Sequence, residues 1–219
     1  LTNWSGGGDN AVSTNALLDL HANFNKGKNS WENTMKLEYG LVKQGDEGVR
    51  KSIDKIDFTS KYGYKNGGHW FYSALLDFKT QFAKGYNYSS EDGVDDVKVS
   101  NFMAPAYITF SLGMDYKPNE IFSAYLSPLT SKMTYVNDDD LSDAGAFGVD
   151  AGDKFRGEFG AFTKLALAKD IMKNVNLQST LDLFTNYSES FGNIDVTWDV
   201  MINMKINSVL TATINTSLV

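Results

Sequence analysis

The groups in this chain that could carry chemistry are two histidines and a large set of carboxylates. His21 stands two positions from Asp19 in "LLDLHANF", and an imidazole oriented by a carboxylate can serve a serine nucleophile as general base. A lipid-cleaving pair of that kind has to face its lipid, whereas the parity of His21 places it with Asp19 on the polar side. It therefore reads as one member of a polar network. His69, in "NGGHW", could bind a metal or a headgroup, but no second ligand lies near it in sequence, and it reads as a turn residue. "NDDDLSDAGAFGVDAGD", residues 137–153, collects Asp138, Asp139, Asp140 and Asp143 with Asp150 and Asp153. Oxygen-rich loops can hold Ca²⁺, yet the EF-hand spacing and its terminal Glu are missing. The plainer expectation is a solvated loop meeting a partner or a surface polysaccharide, with no metal, no cofactor and no catalytic residue.

A third set of charges is embedded in segments that alternate apolar and polar: Asp19, His21, Glu32, Lys36, Glu38, Asp57, Lys61, Asp77, Lys79, Asp115, Glu158, Lys164, Asp182, Asp199 and Lys205. Charges of mixed sign spread through a narrow lumen pair with one another and fill it, while a selective pore favours a ring of one sign. The loop at 84–105 adds Tyr86, Tyr88, Phe102 and Met103 among acids, either as a platform for a partner or glycan or folded into a barrel mouth. Gly6 to Gly8 lack the strand-to-helix setting of a phosphate loop and read as backbone freedom in an outer turn.

These residues must be positioned by strands. In "VTWDVMINMKI", residues 196–206, every even position is apolar, which is the period of a strand with two unlike faces. The same alternation marks ten segments: 13–25, 30–43, 53–64, 69–83, 105–116, 121–135, 156–169, 175–187, 195–206 and 208–219. Most are about twice the ~5 to 6 residues usual in soluble sheets. The connections alternate as well. "KGKN", "NGGH", "KPNE", "KDIMKN" and "KINS" are tight, whereas 44–52, 84–104, 136–155 and 188–194 are mostly longer. Short turns at one end and long loops at the other are the pattern of an outer-membrane barrel, with the turns in the periplasm.

Composition agrees with an all-β chain. Aromatics make up 13% of the 219 residues, Gly is frequent and Pro scarce, which suits many strands joined by turns. A net charge of −7 argues against a nucleic-acid partner. Without cysteine there are no disulfides and no thiolate metal sites. No stretch approaches the ~20 apolar residues of a membrane helix, and the first residues form no signal peptide. Mean hydropathy of −0.30 does not separate a soluble chain from a barrel, which averages a lipid face with a polar lumen.

The apolar faces carry too many large side chains for the interior of a barrel of about ten strands: Trp70, Tyr72, Leu76, Phe78 and Phe82 on one segment, Leu177, Leu181, Leu183 and Tyr187 on another. They are therefore expected to face lipid, and the charged faces the lumen. With the short turns in the periplasm, Phe24, Trp31, Tyr62, Tyr64, Trp70, Tyr72, Tyr116 and Phe122 fall near the turn end. Tyr39, Phe82, Tyr135, Phe159, Tyr187 and Trp198 fall near the loop end. Two such belts are what an outward face crossing two interfaces requires. The segment at 13–25 then descends, and that at 208–219 ascends. Because bacterial barrels start and finish in the periplasm, residues 1–219 are expected to form one domain, a fragment of a barrel of about twelve strands, with one strand upstream and one downstream.

"LTNWSGGGDNAVSTNALLDLHANFNKGKNSWENTMKLEYGLVKQG", "DKIDFTSKYGYK", "PAYITFSLGMDYKPN", "LSPLTSKMTYVND", "DAGAFGVDAG" and "NVNLQSTLDLFTNY" resemble a Bacteroidota outer-membrane β-barrel family known only as a domain of unknown function (DUF3078-like). The resemblance implies integral outer-membrane location, a removed signal peptide and the two further strands. It implies no reaction and no catalytic residues.

The expectation is thus a non-enzymatic antiparallel up-and-down barrel with an occluded polar lumen. It would contact outer-membrane lipids and lipopolysaccharide and serve as a structural or accessory subunit beside other outer-membrane or lipoprotein subunits. A narrow channel for small solutes is the alternative, and an outer-membrane hydrolase has least support.

Overall fold

The computed structural model describes residues 10–89, 95–188, 192–208 and 210–218. Ten strands form one antiparallel sheet in sequence order: β1 (Ala11–Lys26), β2 (Asn29–Gln44), β3 (Arg50–Gly67), β4 (Trp70–Thr80), β7 (Ala106–Tyr116), β8 (Phe122–Tyr135), β9 (Phe155–Met172), β10 (Val175–Asn186), β11 (Asp195–Lys205) and β12 (Thr211–Leu218). Each coincides with one of the alternating segments, to within a few residues at the ends. The turn between β1 and β2 needs a left-handed residue and has Gly27 at φ 60, and that between β9 and β10 has Asn174 at φ 65, the non-glycine type that tolerates this region.

Short elements lie where the sequence suggested only loop. β5 (Gly85–Asn87) and β6 (Val97–Ser100) form a small separate hairpin, and a short helix, α1 (Asp139–Asp143), stands in the acidic loop. Gly6 to Gly8 lie outside the described residues.

The register assigns the faces. Asp19 pairs with Lys36, Lys36 with Asp57, and Asp57 with Lys79, so these alternate positions share one face. On the other face stand residues such as Leu18, Leu37, Ile56, Phe110, Leu126, Leu181, Val200 and Ile214. The charged face is concave. Thr59 on β3 and Thr197 on β11 line the same cavity of about 160 Å³. In a flat sheet those strands would be six spacings, or ~29 Å, apart. The sheet therefore curls into a deep trough. Among the described residues, β1 and β12 each have one neighbouring strand, and closure between them is not formed.

Apolar burial is distributed in an unusual way. The packed apolar cluster is Ala104, Val136, Leu141 and Val149, with Ala146 and Phe147 against it, and it belongs to the connections at the loop end. The sheet itself leaves Leu18, Leu20, Phe24, Trp31, Trp70, Tyr72, Phe110, Leu126 and Trp198 exposed on its convex side. The accessible surface is 14479 Å², against about 10,000 Å² for a compact soluble chain of this mass. No helix is long and apolar enough to cross a membrane, which says nothing about strands.

Candidate functional site

The ionic groups of the trough fall into three sets. On β1 to β4 the pairing Asp19, Lys36, Asp57, Lys79 alternates in sign across four neighbouring strands, so each charge faces an opposite one instead of a like one. Lys55 adds a bond of 3.0 Å to Asp57 and stands opposite Glu38. At the edge, His21 Nε2 lies 3.0 Å from Asp19 Oδ1, and its Nδ1 lies 3.3 Å from Thr34 Oγ1. The imidazole is held by neighbours on the inner face.

The middle set surrounds the cavity. Thr59 donates to Asp77 at 2.9 Å, and Lys79 lies 3.6 Å from the same carboxylate. Lys164 bonds Asp182 at 2.9 Å, while Lys132 reaches Asp195 at 3.3 Å and lies 4.1 Å from the centre of the Phe184 ring. Leu75, Phe162 and Phe184 complete the lining, so the interior is less uniformly polar than the alternation suggests. Near the loop end, Glu158 accepts from Arg156 and Asn186 at 3.2 and 3.3 Å. Asp199 is registered with Thr180 and Ser217, and Lys205 with Thr211 at the turn end.

The third set closes much of the turn end. Lys61 bonds Asp115 at 2.8 Å, and Lys117 bonds Glu32 at 2.7 Å and approaches Asp115 at 3.4 Å. Asp115 is 1% exposed, and Tyr125 beside it 2%. Burial alone would lower the Lys117 ammonium, but the Glu32 and Asp115 carboxylates outweigh it and hold it above the usual lysine range. Asp115 Oδ1 and Ser73 Oγ have no hydrogen-bond partner among the described residues, and both belong to residues lining a cavity of about 10 Å³, room for about one water.

Lys132, Lys117, Lys55, Asp195 and Tyr125 are not among the inward residues named from the sequence, although Lys55 and Asp195 share the odd parity of Asp57 and Asp199. For Lys132 the reason is local. Between Ser127 and Thr130 the register of β8 shifts, because Pro128 has no N–H for the ladder and a bulge absorbs it. The bulge reverses the inward parity from odd at Tyr125 to even at Lys132. Pro128 in mid-strand was the available signal. Lys117 lies in a turn, and its inward reach has no sequence signature.

At the loop end the connections fold onto one another. Lys51 bonds Asp54 at 2.7 Å and donates to the Ala83 carbonyl, while Asp54 accepts the N–H groups of Phe82 and Ala83. Lys98 on β6 bonds Asp138 at 2.7 Å and Asp140 at 2.6 Å, and Asn101 donates to Asp138. Asp138 also caps α1 by accepting from Leu141 N. Asp139 is paired with Lys154. Of the four acids weighed against Ca²⁺, Asp138 and Asp140 bond Lys98 and Asp139 bonds Lys154, and among the described residues no group of three or more His, Cys, Asp or Glu side chains is placed to hold a metal ion. The 84–105 loop, outside its undescribed residues 90–94, packs against this acidic loop.

Aromatic residues gather at both ends of the convex face. Phe24 pairs with Trp31 and Trp31 with Tyr62; Tyr64 pairs with Tyr72, and Trp70 with Tyr116. Phe122 opens β8 on the same side. Toward the loops, Tyr39 meets Phe82 edge-on at 6.3 Å and Phe159 meets Tyr187 at 5.7 Å. Trp198 stands opposite Leu181 and Leu218. Trp31 and Tyr39 are eight positions apart, about 26 Å along a strand at ~3.3 Å per residue.

Residues 1–86 match the model of a family described as a protein of unknown function (DUF3078). The DUF3078 match covers β1 to β4 and the start of β5, and so includes the alternating ladder from Asp19 to Lys79. No curated protein and no solved structure matches the chain.

Proposed function

We propose that this chain forms most of a bacterial outer-membrane β-barrel, of the Bacteroidota kind that the sequence resembles, acting without catalysis as a structural or accessory subunit of an envelope assembly. The observation that carries the reading is the division of the sheet: apolar side chains on the middle of the convex face between two aromatic belts, and paired charges on the concave face. Water on the convex face would leave an apolar surface far beyond what soluble monomers expose. Lipid removes that difficulty, and the belt separation, about 20 Å along the barrel axis once a strand tilt of ~40° shortens it, is of the same order as the ~25 Å apolar band of such barrels. In lipid the open edges of β1 and β12 require a partner, because unpaired backbone groups cost several kcal/mol each. Barrel closure, directly or through two further strands as in the twelve-strand expectation, meets that requirement. Mixed-sign pairs across the trough, with aromatic groups between them, support an occluded interior and hence a role in assembly with other outer-membrane or lipoprotein subunits.

A narrow channel for small solutes is the second reading, favoured by the cavity between Asp77, Lys79, Lys132, Lys164 and Asp182. Planar-bilayer recording of the purified protein separates the two. The subunit reading expects no stable openings, together with co-purification of defined envelope proteins from native membranes. Stable openings whose selectivity changes in Lys79→Gln, with a lone monomer recovered on purification, establish the channel instead.

A further inference from the structure

Lys26 and Lys28 flank the turn from β1 to β2, Lys65 precedes that from β3 to β4, Lys169 and Lys173 flank that from β9 to β10, and Lys205 ends β11. All six are exposed. None makes an ion pair among the described residues, whereas Lys51, Lys61, Lys98, Lys117, Lys132 and Lys164 each do. Of the acids at this end, Glu32 and Asp115 are engaged by Lys61 and Lys117, Asp170 is bonded by Asn176 at 2.8 Å, and Glu120 lies in the turn after β7. The opposite end has the reverse balance, with Asp139, Asp140, Asp143, Asp150 and Asp153 in one loop. Among the described residues, exposed lysines outside ion pairs are thus more numerous at the turn end, these six against Lys43 and Lys84 at the loop end.

The position of these six relative to the aromatics gives them a partner. Lys26 continues the convex row Leu20, Ala22, Phe24, and Lys169 continues Leu165, Leu167. Lys26 leaves the apolar band about 7 Å beyond Phe24 at ~3.3 Å per position, while Lys169 stands opposite Leu177 with Ile171 beyond it, at the margin of the band. Lys28 lies 5.8 Å from the centre of the Tyr64 ring. Tyr and Trp rings lie at headgroup level in a bilayer, and lysine stems extend from apolar surface to set the ammonium at the phosphates. Ordinary solvated turns would need no such alignment with the convex rows.

We infer that the turn rim, chiefly Lys26, Lys28, Lys169 and Lys173, is a contact surface for anionic phospholipid headgroups. The inference rests on the membrane reading above and goes beyond it by assigning the turn end to a leaflet rich in negatively charged phospholipid. Attraction between surface lysines and anionic lipid is electrostatic and fades beyond a Debye length.

The test uses the protein reconstituted in phosphatidylcholine bilayers carrying spin-labelled phosphatidylglycerol or spin-labelled phosphatidylcholine. The motionally restricted fraction of each gives their relative association with the protein. A preference for phosphatidylglycerol of about twofold or more is expected, falling to unity in K26Q/K169Q and in 1 M salt, and retained in the charge-matched K43Q/K84Q at the loop end. A preference unchanged in K26Q/K169Q, or lost equally in K43Q/K84Q, overturns the assignment. Abolition by millimolar inorganic phosphate at constant ionic strength also overturns it, since the rim would then be a site for a free anion. Absence of any restricted lipid defeats the membrane reading itself, an outcome distinct from insertion without preference.

Discussion

At the scale of residues, the most consequential group is Asp115. Its carboxylate is almost wholly buried, and it is held by Lys61 and, less closely, by Lys117. Removing one member of a buried pair leaves an uncompensated charge, which costs more than the pair contributes. Lys61→Met is therefore expected to lower stability by about 3 kcal/mol in urea unfolding from vesicles, and the double variant with Asp115→Asn to recover more than half of it. A loss in the double variant equal to the sum of the two single losses would show that the pair is not coupled. The alternation of sequence was enough to name both residues as inward-facing. That they bond to each other was not legible, because β3 and β7 are joined only through β4 and 54 positions separate the two.

At the scale of elements, β11 offers the sharpest contrast between faces. Val200 and Met201 are adjacent in the middle of the strand, Val200 on the convex row with Trp198 and Ile202 and Met201 on the concave row with Asn203. Val200→Lys is expected to destabilise the protein in bilayers by about 2 to 4 kcal/mol, and Met201→Lys by under about 1 kcal/mol. Equal effects would sink the assignment of lipid to one face. The loop-end connections respond to pH instead. Burial alone would raise the Asp138 carboxyl, but bonds from Lys98, Asn101 and the Leu141 N–H hold it below its ordinary value of 3.8. Its contribution is thus complete above 3.8 and lost as pH falls through the lower folded value. Bonds to Asp138 and Asp140 push Lys98 up from 10.5 to about 12, so its share is present below 10.5 and lost as pH rises through about 12. Hydrogen-exchange protection of the Leu141 amide should fall at both limits, and Asp138→Asn should remove the acid one. The helix was hidden because Asp138 to Asp140 read as a solvated acidic run until Lys98, from a distant hairpin, is brought against them.

For the whole molecule, the two edges of the sheet, β1 and β12, carry the decisive test. A closed barrel in lipid has no edge, so the backbone amides of β1 and β12 are expected to be as protected from exchange as those of β7 to β9. Fast exchange along both outer strands in vesicles, with β7 to β9 protected, would defeat closure. The match of residues 1–86 to DUF3078 includes one of these edges, β1, and the charge ladder that runs from it. The packed apolar cluster sits in the connections because, among the described residues, no protein layer covers the convex face of the sheet.

Much about this protein was determined by the sequence alone. A period of two depends only on the local geometry of an extended chain, so the ten strands, their order, and the division of Asp19 to Lys205 from the aromatic rows could be read residue by residue. What the tertiary structure decided were the relations between distant positions. The bulge at Pro128 turned Lys132 inward, Lys117 crossed to Glu32, the acidic loop became a cap fastened by Lys98, and curvature brought β3 and β11 to one cavity. Each of these depends on which strands become neighbours and how sharply the sheet bends, and those are properties of the assembled ladder that no single segment encodes.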